Sequence, residues 1–111
     1  KVMADMILDL YNTEYGLMIT KMFFYSVYGP READYGPYST VCKRFSQKVN
    51  NNESLEIYGD GSKTRDFTHV LDVVNNMMMM MDEVGIIDEV HFGRGRPKSI
   101  KEVADAFHHP I

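Results

Sequence analysis

The turn-forming run Gly59-Asp60-Gly61-Ser62 leads into Lys63-Thr64-Arg65-Asp66-Phe67, and the Arg65 guanidinium is the group in this chain best shaped for chemistry with an anion. A planar guanidinium can offer two parallel hydrogen bonds to a diphosphate, a geometry that an ammonium group cannot reproduce. Local chemistry alone favours a solvated surface arginine, because lone charges are rarely withdrawn from water. A second stretch, Tyr25-Ser26-Val27-Tyr28-Gly29-Pro30, follows an apolar segment with strand character. In open α/β sheets ligands bind beyond the carboxyl ends of strands, so Ser26 and its neighbours are candidates for ligand contact. Gly29 and Pro30 are better explained by the turn itself.

Other reactive-looking features have plainer explanations. Gly93-Arg94-Gly95 follows a predicted strand, but Pro97 interrupts any third glycine, so it is no dinucleotide fingerprint. Arg94 and Arg96 are secondary candidates for reaching a ligand. The methionines from 77 to 81 suggest soft-metal ligation, but five consecutive helical residues point all round the axis and cannot converge. Packing on one side and partner contact on the other is the expectation for them. His108 and His109 lack a third metal ligand, and no metal site is expected. Asp5, Asp9 and Glu14 read as a solvated face. No Ser/His/Asp arrangement, catalytic carboxylate pair or Cys-x-x-Cys is present to support another chemistry.

These residues must be positioned by a modest scaffold. The chain has 111 residues, with 44% apolar and 25% charged residues, the composition of an ordinary globular domain. Its net charge of −4 excludes the basic stripe that nucleic acid requires. The single cysteine, Cys42, rules out an internal disulfide and fits a reducing compartment, so a cytoplasmic location is expected. No apolar run is long enough to span a bilayer, and no membrane partner is expected.

Residues 2–15 carry Val2, Met6, Ile7 and Leu10 at helical spacing and stop at Gly16, which predicts an amphipathic helix. Residues 17–25 predict a buried strand. Ser39 is placed to cap a helix over 40–49, stopped by Asn50-Asn51-Asn52. Residues 55–58 predict a short strand, residues 59–62 a turn and residues 67–70 an extended segment. Asp72 is placed to cap a helix running to about 81. Residues 89–92 predict a strand. Ser99-Ile100-Lys101-Glu102 has capping-box spacing and opens a last helix to about 107. The alternation of helix and strand predicts an α/β fold.

Taken together, Tyr25 to Pro30 and Tyr58-Gly-Asp-Gly through Arg65-Asp66-Phe67-Thr68-His69-Val70 resemble the NAD-dependent nucleotide-sugar epimerases and dehydratases, the extended short-chain dehydrogenase family. The resemblance runs from Lys1 to about Phe107 and is greatest to enzymes of the UDP-glucose 4-epimerase type. It implies the C-terminal part of a Rossmann-type fold: the last sheet strands plus a small substrate-binding subdomain. Residues 1–30 would be the last helix and strand of the dinucleotide-binding domain, and residues 31–111 the nucleotide-sugar-binding region. Arg65 would bind the diphosphate, Tyr58 would lie on the base, and Ser26 would touch the sugar diphosphate where the family commonly has Asn. Where the family usually has an arginine, Phe23 stands instead. Tyr25 would face the cofactor. Lys1-Val2-Met3-Ala4-Asp5 fits the lysine end of a Tyr-x-x-x-Lys pair. Lys1 would then lower the tyrosine's pKa and hold the nicotinamide ribose, the tyrosine lying before residue 1.

The resemblance implies a UDP-sugar substrate, an NAD cofactor and a homodimer built on the first helix. No glycine-rich phosphate loop is present, so the chain reads as an inactive fragment not expected to bind NAD alone and prone to self-association. The alternatives are a nucleotide-sugar dehydratase or decarboxylase, and a non-enzymatic binding or assembly unit whose first helix buries Val2, Met6 and Leu10.

Overall fold

The computed structural model describes residues 1–34, 36, 38–83 and 88–107. In chain order its elements are helix α1 (Val2–Tyr15), strands β1 (Lys21–Phe24) and β2 (Val27–Tyr28), and helix α2 (Val41–Asn50). Strands β3 (Thr64–Arg65) and β4 (Thr68–His69) and helix α3 (Val70–Met80) follow, with a 3-10 turn over Met81–Glu83. Strands β5 (Glu89–Phe92) and β6 (Lys98–Ser99) and helix α4 (Ile100–Ala106) complete the described chain. The fold is α/β, as expected. His108 and His109 lie outside the described residues.

The strands form three pairs. β1 lies parallel to β5, with Phe23 opposite His91 and Phe24 opposite Phe92. β2 lies parallel to β4, with Val27 opposite Thr68. β3 and β6 are antiparallel, with Arg65 opposite Lys98. The buried strand expected over 17–25 is confined to β1 and is only partly buried, with Leu17, Met18 and Phe24 exposed; Ser26, at a φ of 39°, turns the chain before it resumes as β2. Residues 55–58 form no strand, since no ladder partner lies beside them among the described residues, although Leu55 is buried. β3 and β6 were not expected, because two residues are too few to show an alternation.

The helix caps follow local chemistry with two shifts. Gly16 closes α1 at a φ of 63°, its N–H donating to the Asn12 carbonyl at 3.0 Å, a conformation that suits glycine. Thr40, rather than Ser39, caps α2 by accepting from the Lys43 N–H at 3.3 Å. His69, rather than Asp72, caps α3, its Nδ1 accepting from the Leu71 N–H at 3.2 Å. α4 has the expected capping box: Ser99 Oγ accepts from the Glu102 N–H at 3.1 Å, and Glu102 accepts from the Ser99 N–H at 2.8 Å.

The core sits between α2 and α4. Phe45, Leu55 and Ala104 are buried, and Val41, Val49, Ile57, Ile100, Val103 and Phe107 pack on them. Phe45 and Phe107 meet edge to face at 5.9 Å. α1 behaves otherwise. No residue of α1 is buried, Val2, Met6 and Leu10 included, and no other described element covers that face. An ion pair from Asp9 to Lys21 at 2.7 Å ties the helix to the start of β1. The methionine run is also largely exposed, and only Met80 turns partly inward. No helix among the described residues is long and apolar enough to cross a membrane.

Candidate functional site

The carboxyl ends of β1 and β5 gather the chain's polar chemistry. The Tyr25 N–H donates to the Phe92 carbonyl at 3.2 Å, carrying the ladder one residue past β1. The Ser26 carbonyl then accepts from the Thr68 N–H at 3.4 Å, which joins this turn to the segment just after Arg65. Gly29 lies where β2 crosses the start of α3. At a φ of 147°, a Cβ there would stand 2.6 Å from Val70 Cγ1, so the close approach requires glycine.

Asp66 holds the centre of this region. Its carboxylate accepts from the Arg94 N–H at 3.1 Å and the Gly95 N–H at 2.8 Å, fastening the loop after β5 to the segment between β3 and β4. The sequence marked Arg65 and passed over Asp66. A carboxylate beside a glycine-containing loop was the available signal, but the two segments lie 28 and 29 residues apart. With its carboxylate engaged by backbone, Asp66 leaves the Arg94 side chain without an acidic partner among the described residues.

Arg65 is exposed on β3, its Nη1 donating only to the Thr64 carbonyl at 2.9 Å. Directly opposite stands Lys98. Like charges facing each other across a ladder destabilise it. Lys98 is compensated by Glu102 at 2.8 Å, whereas Arg65 has no carboxylate among the described residues. The Lys98 ammonium, followed by the Ser99 N–H, holds the Glu102 carboxyl down at about 2. The turn before β3 is bolted to the same helix. The Gly61 and Lys63 carbonyls accept from the Lys101 and Ile100 N–H groups at 3.1 and 3.0 Å, which satisfies two otherwise orphaned donors of α4. Within that turn Asp60 accepts from the Ser62 N–H and hydroxyl, and these bonds lower its pKa. Tyr58, 78% exposed, enters the same turn and lines an open groove with Arg44, Lys48 and Lys63.

A second groove, of about 860 Å³, runs past Pro30, Glu32, Cys42, Phe67 and Arg94. Glu32 Oε1 is buried there without a hydrogen-bond partner in the described structure. Burial, and next the nearby Glu32 charge, push the Cys42 thiol up to about 11.

On one face of the β1–β5 pair, Tyr25 Oη lies 2.6 Å from His91 Nδ1, and His91 Nε2 in turn meets Glu89 Oε1. The His91 ring stacks on Phe23 at 4.9 Å. Neither His91 nor Glu89 was singled out from sequence. Their two-residue spacing on a strand, which puts both on one face, was the signal.

The structure therefore brings Tyr25, Ser26, Asp66 and the Gly93–Gly95 loop together, with Arg65 adjoining Asp66. Tyr58 stands apart, on the far side of the glycine turn. Lys1 lies exposed at the start of α1 with no side-chain hydrogen bond or ion pair among the described residues. No group of three His, Cys, Asp or Glu side chains among the described residues could hold a metal ion.

Comparison with known proteins places these features in context. The model of the NAD dependent epimerase/dehydratase family matches residues 1–91. The chain is 40% identical over 93 residues, 84% of its length, to the UDP-N-acetyl-alpha-D-glucosaminuronate decarboxylase of Bacillus cytotoxicus, of which it covers 29%. It is 33% identical over 111 residues to a protein of Methanocaldococcus jannaschii provisionally named UDP-glucose 4-epimerase, of which it covers 35%. The crystal structure of UDP-glucose 4-epimerase from Thermotoga maritima with UDP-glucose superimposes with a TM-score of 0.86 at 29% identity. That match covers 96% of this chain and 34% of the other. The chain thus spans about a third of the length of the curated relatives it matches.

Proposed function

The chain belongs to the NAD dependent epimerase/dehydratase family, and on that premise we propose that it is the nucleotide-sugar-binding portion of an NAD-dependent epimerase of the UDP-glucose 4-epimerase type. The observation that carries this reading is the guanidinium of Arg65, without a carboxylate partner among the described residues, set opposite Lys98 and bolted through the glycine turn to α4. An anion seated on Arg65 would relieve the like-charge pairing, and a diphosphate suits its planar fork. Tyr58 offers an exposed ring to the base, and Ser26 a hydroxyl toward the sugar diphosphate. Residues 31–111 form this region, and residues 1–30 complete the dinucleotide-binding domain.

NAD would act as a reversible hydride acceptor. Among the described residues no Gly-x-Gly-x-x-Gly turn joins a strand to a helix, the arrangement that takes a dinucleotide pyrophosphate. The residues that fit NAD are those for its nicotinamide end. Tyr25 presents a half-exposed ring with an anchored hydroxyl at the carboxyl end of β1. Lys1 would meet the ribose. We place the whole protein in the cytoplasm as a dimer joined through α1.

The test is conversion of UDP-glucose to UDP-galactose by the whole protein, with calorimetric binding of UDP. Failure of both overturns the reading. The second reading is a nucleotide-sugar decarboxylase or dehydratase, favoured by the 40% identity to the Bacillus cytotoxicus decarboxylase. Carbon dioxide release from a UDP-uronate, without epimerisation, would establish the decarboxylase.

A further inference from the structure

Strand alternation places Phe23 and Tyr25 from one segment, and Glu89 and His91 from its parallel neighbour, on the same face. The result is a continuous chain of phenol, imidazole and carboxylate. Its chemistry is constrained from the acidic end. An ionised carboxylate can only accept, so His91 Nε2 must carry the proton that Glu89 receives. In neutral imidazole Nδ1 is then the bare nitrogen, and the 2.6 Å contact requires the Tyr25 hydroxyl to donate to it. The phenol oxygen keeps its lone pairs for a ligand. Tyr25 stands just past the end of β1, on the edge where α/β sheets take their ligands, and is 43% exposed.

We propose that His91 and Glu89 are positioning residues that hold the Tyr25 hydroxyl as a hydrogen-bond acceptor toward the nicotinamide end of NAD. This rests on the reading of the chain as part of an NAD-dependent enzyme. The groups that accept such a partner are an amide N–H or a ribose hydroxyl of the cofactor. The charged groups around the chain are few. Lys21, the register partner of Glu89, is held by Asp9 of α1 with Asp5 nearby, and Asp66 lies at Gly93 beside the Tyr25 ring.

The experiment measures NAD and UDP affinity of the whole protein at pH 8 in wild type, Tyr25→Phe, His91→Phe and Glu89→Gln. His91→Phe retains a ring on Phe23, so loss of stacking is not the variable. Tyr25→Phe and His91→Phe should weaken NAD by about three- to tenfold, the effect of one hydrogen bond. Glu89→Gln still accepts from Nε2–H, so this conservative variant should keep most of the wild-type NAD affinity. UDP affinity should not change in any variant. Nitrogen NMR of the ligand-free protein should find Nε2 protonated and Nδ1 bare at pH 8. NAD binding that all three variants leave unchanged, or Nδ1 protonated at pH 8, overturns the relay alone. UDP binding without any NAD binding overturns the relay together with the NAD reading.

Discussion

Asp66 and Gly93 fit so closely that a methyl group on Gly93 would stand 2.6 Å from Asp66 Oδ2. That space lets the carboxylate reach under the loop and accept from the N–H groups of Arg94 and Gly95. Asp66, next to Arg65 in the chain, is thereby tied to a loop almost 30 residues away in sequence. Asp66→Asn presents one acceptor oxygen where two are used, leaving an amide N–H group against a backbone donor. Loss of about 1–3 kcal/mol of stability is expected by urea denaturation. Gly93→Ala should cost at least as much, since the carboxylate must withdraw. Unchanged midpoints in both variants would show that the loop is held by something else.

Arg65→Ala in the whole protein should weaken UDP binding by about 1.5–3 kcal/mol, the range for a hydrogen bond to a charged group. Arg65→Lys should recover only part, because the bidentate fork is lost. Tyr58→Leu should cost about 1–3 kcal/mol if the ring stacks on the base. NAD affinity should hold in all three. Calorimetry with UDP and NAD decides it: an Arg65→Ala protein with wild-type UDP affinity would make this segment a structural turn.

Glu102 links stability to pH. Its carboxyl is lowered from 4.5 to about 2 in the folded chain, first by Lys98 and then by Ser99. A lowered folded value means a contribution fully present above the unfolded value and lost as pH falls toward the folded one. Acid titration should therefore weaken the chain between about pH 4.5 and 2. Glu102→Gln should flatten that slope in thermal melts taken across the window. Ser99→Ala should cost about 0.5–2 kcal/mol at neutral pH by removing the other half of the capping box.

The Cys42 thiol, raised from 9.0 to about 11 by burial and Glu32, should be a poor nucleophile. A rise of two units lowers the thiolate fraction at pH 8 by about a hundredfold. Alkylation by iodoacetamide should be correspondingly slower in the native chain than in urea. Equal rates would place the thiol in water.

α1 exposes Val2, Met3, Met6 and Leu10 at 73%, 76%, 67% and 55%. If α1 joins two protomers, the chain should self-associate, and Leu10→Asp should lower the mass seen in sedimentation. A mass unaffected by Leu10→Asp would move the interface elsewhere.

Much of this architecture is legible in local sequence, because its causes are local. Gly16 closes α1 through its own φ, and Ser99 with Glu102 builds a capping box within a single turn. The paired motifs around Gly29 and Arg65 were enough to mark the family. What local sequence could not reveal is what distant segments do to each other. Asp66 gains its meaning from the loop at 93–95, and Tyr25 from His91, 66 residues away. Thr40 rather than Ser39 caps α2, a choice between adjacent residues that local sequence leaves open. Residues 55–58 have strand composition but no neighbour to pair with among the described residues. α1 has an apolar face that remains exposed, because no described element packs on it. Periodicity determines which faces are apolar and which residues can cap. Only the tertiary structure decides which groups meet, because hydrogen bonds and burial depend on distances that the chain closes by folding.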